Sequence, residues 1–512
     1  MNILKKYLAV FAAVIILGGC NNTINKRIES ESYSEQLISE GVNYLYCDEQ
    51  YKDKKQLTMV LDSMKIRFFP EIDSEIINRF NKKLDSEGYD FAVNFEILNT
   101  EIISTIDYYE LCIKQNKAID IISSGLEISQ EIIDSDPEGF KCKAHEKTFW
   151  EYVDKGYLLP LNDFFKTSEG EKLYNVFPQI YWDRVTDNDN KIYGVYNTIN
   201  APLCIEFNKN VAEKYNYDYK KYTGDFKSLE NILETMKNKD DVAGLHLNPL
   251  YADLMYEYFG YSCLDCGIYI NEKTGIAENL FDNKKFLEYI QTISDFKKRG
   301  YILDIDKNPD DYEKILCETT FFDSMQDYNQ VIIAAAYLKN RNSCLGLGIT
   351  SSSEYPDEAF KLLYLLYTNS EYSKLLQCGI EGRNYNIINK NEIELKNEYS
   401  TFWDIGSFPG NPYITDMGED AVVPMKKKQM LLTKAFKSIK KSRTYGFEYP
   451  ETDKTKAIKE IYKKYDGLYY GAFNNVEKTL EQANNELKSA GLDEVLNDIN
   501  RQLEKYYEKN NR

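Results

Sequence analysis

Between residues 55 and 125 the spacing of apolar positions changes period again and again. Leu57-Thr58-Met59-Val60-Leu61 is a short apolar run and reads as a strand. Over residues 71–84, Ile72, Ile76, Ile77 and Phe80 fall at helical spacing, and Gly88 stops the run. Phe91, Val93, Phe95 and Ile97 then alternate with other residues, the period of a strand. Residues 101–117 are helical again. Residues 118–122, broken only by Asp120, form a third strand that ends in Ser123-Ser124-Gly125. Strand, helix, strand, helix, strand predicts a parallel sheet covered by helices. In such sheets ligands sit beyond the carboxyl ends of the strands, which makes Ser123 and Ser124 candidate ligand contacts. The same serines equally suit the cap of a following helix.

Further on, helical patterns cover residues 146–153, 229–238, 251–259 and 284–299, the last ending at Gly300. Leu345-Gly346-Leu347-Gly348-Ile349 is a glycine-rich strand that runs into Thr350-Ser351-Ser352-Ser353. It is not a dinucleotide fingerprint, because no third glycine and helix follow at the required spacing. Residues 454–507 form a long helical tail. At the other end, residues 21–53 are polar and charged and read as a tether, with a short helix over 33–46.

Composition and the N-terminus narrow the class. A net charge of −19 excludes the basic patch of a nucleic-acid protein and a charge-based grip on anionic lipid. Aromatic residues make up 14% of the chain, and 43 of them are Tyr, a flat ring with a polar tip that suits sugar or peptide surfaces. An AT-rich genome, which also favours Asn, Ile and Lys, accounts for the same excess. Lys5 and Lys6 precede an apolar stretch over residues 7–17 that is too short to span a bilayer. Leu17-Gly18-Gly19-Cys20 follows and resembles the lipobox of bacterial lipoproteins. That likeness implies that Cys20 carries a diacylglyceryl thioether and becomes the first residue of an exported, lipid-anchored protein. The nine remaining cysteines are odd in number and scattered. Cys263 and Cys266, the one close pair, lack the second pair of a zinc ribbon, so buried thiols are expected.

Several motifs, in order, resemble bacterial extracellular solute-binding proteins of ABC importers. Lys155-Gly156-Tyr157-Leu158-Leu159-Pro160-Leu161 is similar to their exit from a helix. Trp182-Asp183-Arg184-Val185, then Lys191-Ile192-Tyr193-Gly194-Val195, is similar to their W-x-x-V and G-K-x-Y-G pattern. Phe207-Asn208-Lys209 matches the Y-N-K after the first interlobe crossing. Residues 354–387 resemble their E-A-x-K helix pair. Gly379-Ile380-Glu381-Gly382-Arg383-Asn384-Tyr385 resembles the G-I-E-G-x-x-Y of a family 1-like lipoprotein subgroup with a C-terminal domain of unknown function. Gly446-Phe447-Glu448-Tyr449 is similar to that subgroup's G-F-x-[FY]-D, with Pro450 and Glu451 in place of the acid. Leu487-Lys488-Ser489-Ala490-Gly491-Leu492-Asp493 matches its L-K-x-A-G motif.

The resemblance covers residues 55–507 and implies an α/β, two-lobe, type II periplasmic-binding-protein-like fold. Each lobe would be a mainly parallel sheet flanked by helices, with a helical C-terminal region. The expected divisions are a signal peptide at 1–19, a polar tether at 20–54, the first part of lobe 1 at 55–197 and lobe 2 at 203–343. Residues 350–430 return to lobe 1, and 431–512 form the C-terminal helical region. Residues 196–202 would be the first hinge, so Tyr196, Asn197 and Asn200 are candidate ligand contacts. Trp403, in the aromatic loop 402–413, is a candidate stacking platform, and Trp182 is expected to pack beneath the sheet. Arg383 offers a local positive charge.

Only His145 and His246 exist, and neither has a partner motif for triad or zinc chemistry. No catalytic residue, metal or cofactor is expected. The function implied is a lipid-anchored receptor on the outer face of the cell membrane. It would be a monomer that closes its lobes over a small solute, an oligosaccharide or a peptide, for delivery to ABC permease subunits. A surface glycoside-processing enzyme and a non-transport sensor on the same fold are the alternatives, because 82 acidic residues offer many carboxylate pairs.

Overall fold

The computed structural model describes residues 38–62, 73–99, 102–124, 149–196, 202–305, 307–322, 329–338, 346–389, 392–396, 409–411, 414 and 425–510. Two separate hydrophobic cores organise it.

The first core is built on a six-stranded sheet of order β1-β3-β2-β4-β14-β5. Its centre matches the sequence pattern. Strand β2 (Lys55–Asp62) runs parallel to β3 (Phe91–Leu98) and to β4 (Ile121–Ser123). Helix α1 (Ser74–Ser86) joins β2 to β3 and buries Ile76, Ile77, Phe80 and Leu84. Asp73 caps it by accepting from the Ile76 N–H. The buried Asn81 amide ties the helix to β3 by donating to the Val93 carbonyl and accepting from the Val93 N–H. Helix α2 (Thr105–Lys114), capped by Ser104, leads to β4. Strand β1 (Val42–Leu45) pairs antiparallel with β3. It lies inside the stretch expected as a tether, and the helix expected over 33–46 gives way to it from Val42 onward. The reason is local: Val42 is buried, Asn43 is exposed and Tyr44 packs on the core, which is strand alternation beside an open edge of β3. Beyond β4 come α3 (Phe149–Asp154), α4 (Ser168–Tyr174), α5 (Gln179–Trp182) and β5 (Val195–Tyr196).

The second core surrounds a four-stranded sheet of order β12-β6-β11-β7. Its strands are β6 (Leu203–Phe207), β7 (Leu245–His246), β11 (Cys317–Phe321) and β12 (Gln330–Ile332). Between β6 and β11 lie α6 (Lys209–Lys214), α7 (Glu230–Asp240), α8 (Met255–Tyr258), the meander β8 (Tyr261–Cys263), β9 (Tyr269–Asn271) and β10 (Ile276–Ala277), and α9 (Lys284–Lys298). Only the β11–β7 pair is parallel; β6 is antiparallel to both its neighbours. The mainly parallel lobes expected from sequence are therefore mixed sheets. The strands that receive the chain from a crossing, or send it back, run against their neighbours.

After β12 the chain forms β13 (Ala336–Leu338), then β14 (Gly346–Ile349), which inserts antiparallel between β4 and β5. Helices α10 (Pro356–Thr368) and α11 (Ser370–Gln377) cover the first sheet, and a hairpin of β15 (Tyr385–Asn389) and β16 (Glu392–Leu395) follows. Helix α12 (Met425–Ser438) leads to β17 (Ile439–Lys441), which pairs parallel with β13. The last three helices, α13 (Asp453–Lys464), α14 (Val476–Ser489) and α15 (Leu492–Lys509), bury Ile458, Leu487, Ile499 and Leu503 in the second core. The turn at residues 379–383 uses Gly379 and Gly382 at positive φ, the backbone region that glycine enters without cost.

Candidate ligand-binding site

The first sheet presents one edge to the segments that leave it. The carboxyl ends of β2, β3 and β4 lie there, and at that same edge β5 ends and β14 begins. Register pairs Leu347 with Ser123 and Gly346 with Tyr196. Ser123, Ser124 and Tyr196, chosen from sequence, are thus brought together. Their roles differ. The Ser124 hydroxyl accepts from the Gly346 N–H at 2.8 Å, while the Ser124 N–H donates to the Gly346 carbonyl at 2.9 Å, so this side chain pins β14 to β4. The Ser123 hydroxyl is fully buried and has no hydrogen-bond partner among the described residues. Of Tyr196 the structure describes the backbone. Asn197, Asn200, Trp403 and Cys20 lie outside the described residues.

The second sheet turns the corresponding end toward the same crossings. Strand β6 begins where β11 ends, with Leu203 opposite Phe321, and the Phe322 N–H donates to the Pro202 carbonyl at 2.8 Å. Strand β7 runs parallel to β11, so the residues after it emerge at this end. There Asn248 caps a short 3-10 turn, accepting from the Leu250 N–H, and its own N–H donates to Thr319 at 2.9 Å. Leu250 is 79% exposed. The half-buried Tyr251 ring meets Phe321 edge to face at 5.5 Å.

Polar groups stand on the opposite face of β11, where Glu318, three positions before Phe321, points. Glu318 receives the Tyr312 hydroxyl at 2.6 Å and lies 3.2 Å from His246 Nδ1. Burial first, then the Glu318 carboxylate, holds the Tyr312 phenol above its ordinary pKa. Gln330 donates to Glu206 at 3.0 Å, and register places Glu206 opposite Glu318. Lys434, from α12, donates to the Gln330 carbonyl at 3.0 Å and sits 5.0 Å from the Phe322 ring; burial pushes its ammonium below the usual lysine range. Carboxylates, a phenol and an aromatic face together suit a polyol, whose hydroxyls donate and whose C–H faces stack on rings.

Sequence reasoning missed Tyr251, Phe321, Glu318, Tyr312 and Lys434. The signal available was weak: an aromatic two residues past Pro249, and a strand, C-E-T-T-F, that ends in one. Arg383 is occupied elsewhere, by Asp73 at 2.8 Å and Glu75 at 2.9 Å. Trp182 is wholly buried, as expected. The described cysteines are thiols, and Cys263 and Cys266 do not bridge. Among the described residues no cluster of His, Cys, Asp and Glu forms a metal site, and no helix is long and apolar enough to cross a membrane.

Two mixed sheets with separate cores, linked by crossings at facing ends, define the type II periplasmic-binding-protein fold. The structure is similar to that of the N-glycan transport solute binding protein of Streptococcus pneumoniae, with a TM-score of 0.60 at 18% identity over 90% of this chain and 100% of that one. An extracellular solute-binding protein from Bifidobacterium longum subsp. infantis aligns with a TM-score of 0.51 at 14% identity, over 88% of this chain and 98% of that one. In sequence the chain is 24% identical over 396 residues to a carbohydrate ABC transporter substrate-binding protein of Streptococcus pneumoniae, covering 69% of this chain and 77% of the other. Residues 450–508 match the family model described as Domain of unknown function (DUF3502). In sequence and fold the chain is similar to ABC-importer solute-binding proteins, and α13 to α15 form the stretch that matches DUF3502.

Proposed function

We propose that the protein is a lipid-anchored receptor of an ABC importer that closes two lobes over an oligosaccharide and delivers it to a permease. The observation that carries this reading is the pairing of Tyr251 and Phe321 at the lobe end next to the crossings, with the Glu318–Tyr312–His246 network on the other face of β11. Aromatic faces flanked by acceptors are what a sugar ring needs, and a cleft between two lobes supplies them from both sides. The names of the relatives, carbohydrate and N-glycan binders, support the ligand class. Leu17-Gly18-Gly19-Cys20 supports the anchor.

The test is a thermal-shift and calorimetric screen of the chain lacking residues 1–20, against N-glycan-type and other oligosaccharides and against peptides. A ligand that binds only the folded state adds about 2.7 kcal/mol of stability at a hundredfold excess over its Kd. Saturable binding with the sugar recovered intact by mass spectrometry is the expected result. Cleaved sugar identifies an enzyme instead, and binding of peptides alone overturns the carbohydrate class. For the anchor, Cys20→Ala should release the full chain from membranes into the medium.

A further inference from the structure

One turn, just before the DUF3502 region, lies at the boundary between the lobes. Residues 442–447 follow β17 and are clamped onto the second lobe. Glu272 accepts from the Ser442 hydroxyl and from the Arg443 N–H at 3.0 Å, and the Arg443 guanidinium donates to the Lys273 carbonyl at 3.2 Å. Internal bonds close the turn, with the Tyr445 N–H donating to the Ser442 carbonyl and the Phe447 N–H to the Thr444 carbonyl. Gly446 lies at φ 84°. From α15, the Tyr506 hydroxyl donates to the Tyr445 carbonyl, and its ring packs against Phe447 at 5.4 Å. Tyr507 anchors the same helix by donating to the Gly275 carbonyl at 2.7 Å. Hairpin and helix therefore clamp this turn to the second lobe, while the Ser442 N–H also donates at 2.9 Å to the carbonyl of Leu338, which is buried in the first core.

The side chain of Tyr445 points the other way. Its ring is buried in the first core, while Phe447, two residues on, is buried in the second. Its hydroxyl donates to the Asp183 carbonyl of the first lobe at 2.5 Å. Lys441 stands 4.4 Å over the ring and 3.8 Å from the Asp183 carboxylate. A turn held by the second lobe thus places Tyr445 in the first core, beside Phe436 and Ile439 of the segment that precedes it.

We propose that Tyr445 is a positioning residue through which the DUF3502 region sets the angle between the lobes. This rests on the reading of the protein as a closing two-lobe receptor. Rotation of the lobes displaces Asp183 relative to the clamped turn, so the bond exists in one arrangement and not in the other. A contact made in one conformer alone biases the equilibrium by its own strength, and ligand affinity moves with it.

The test uses the full mature chain with spin labels on ketone-bearing side chains placed at exposed Lys82 and Asn238. Interlobe distances are read by pulsed electron resonance without ligand, in wild type, Tyr445→Phe and Tyr506→Phe. Wild type should give one dominant distance. Tyr445→Phe should populate a second, with a change of about three- to tenfold in the ratio, the size expected for one lost hydrogen bond. Tyr506→Phe, which loosens the turn without touching the first lobe, should move the same ratio in the same direction. Distance distributions that superimpose on wild type, with or without a fall in Tm, overturn the proposal. Because the readout needs no sugar, it stands apart from the ligand assignment. If a sugar does bind, its Kd should shift by a similar factor in Tyr445→Phe.

Discussion

Trp182 shows what a single side chain contributes here. Its ring stacks on Tyr174 at 5.2 Å and meets Phe165 and Tyr181 edge to face, and its indole N–H donates to the Tyr174 carbonyl at 2.9 Å. Truncation leaves both a cavity and an unpaired carbonyl. Trp182→Ala should cost about 3–5 kcal/mol in urea unfolding, and Trp182→Phe distinctly less. That this residue is structural was legible from the resemblance, which implies a Trp packed beneath the sheet at this position. The serines divide differently. Sequence placed Ser123 and Ser124 at a strand end, but it could not tell that the Gly346 N–H claims the Ser124 hydroxyl, since that partner lies 222 residues away. The Arg383 pair with Asp73 and Glu75 was hidden for the same reason.

Elements follow the sequence wherever the signal is local. The period-two run of β3 falls on Phe91–Leu98 as expected, and α9 ends one residue before Arg299. The glycine-rich β14 was legible as a strand, but the need for its glycines was not. Phe149 lies across Gly346 and Gly194, and a Cβ at Gly194 would stand 2.6 Å from the Leu347 carbonyl oxygen. Strand pairing was the least legible level. Nothing in Leu203–Phe207 says that it runs against both neighbours, because register is decided by strands more than a hundred residues on. Among the helices, α13 and α14 carry a pH-dependent tie. Lys464, then Gln482 and Tyr465, pull the Glu486 carboxyl down to about 2 from an ordinary 4.5. A lowered carboxylate adds stability above its unfolded pKa, and that stability is lost as pH falls through the folded value. The helical tail should therefore loosen between about pH 4.5 and 2. Glu486→Gln should flatten the dependence when amide exchange of α13 and α14 is followed across that window. Lys464 is exposed and Glu486 partly so, so added salt should shrink the difference.

The molecule as a whole joins two sheets whose facing ends carry different chemistry. The first lobe offers the ends of its parallel strands; the second offers Tyr251, Phe321 and an acid network. Two-lobe organisation was readable from the order of motifs, whereas the Tyr251–Phe321 pair of the second lobe was not, since the two rings meet only when β7 and β11 lie side by side. The asymmetry carries a prediction that separates binding from folding. Tyr251 and Phe321 are half-buried at a lobe end, where Tyr251 packs on the margin of the second core. Truncating either removes stacking area while leaving the packed interior of the second lobe intact. Tyr251→Ala and Phe321→Ala should each weaken oligosaccharide binding by about tenfold, close to 1.4 kcal/mol, in isothermal titration. The Tm without ligand should stay within 2–3 °C of wild type. A double variant should lose less than the sum of the two, because each ring positions the other edge to face. Affinity unchanged in both single variants, with the sugar still bound, would place the ligand against the first lobe and the crossings rather than on this pair.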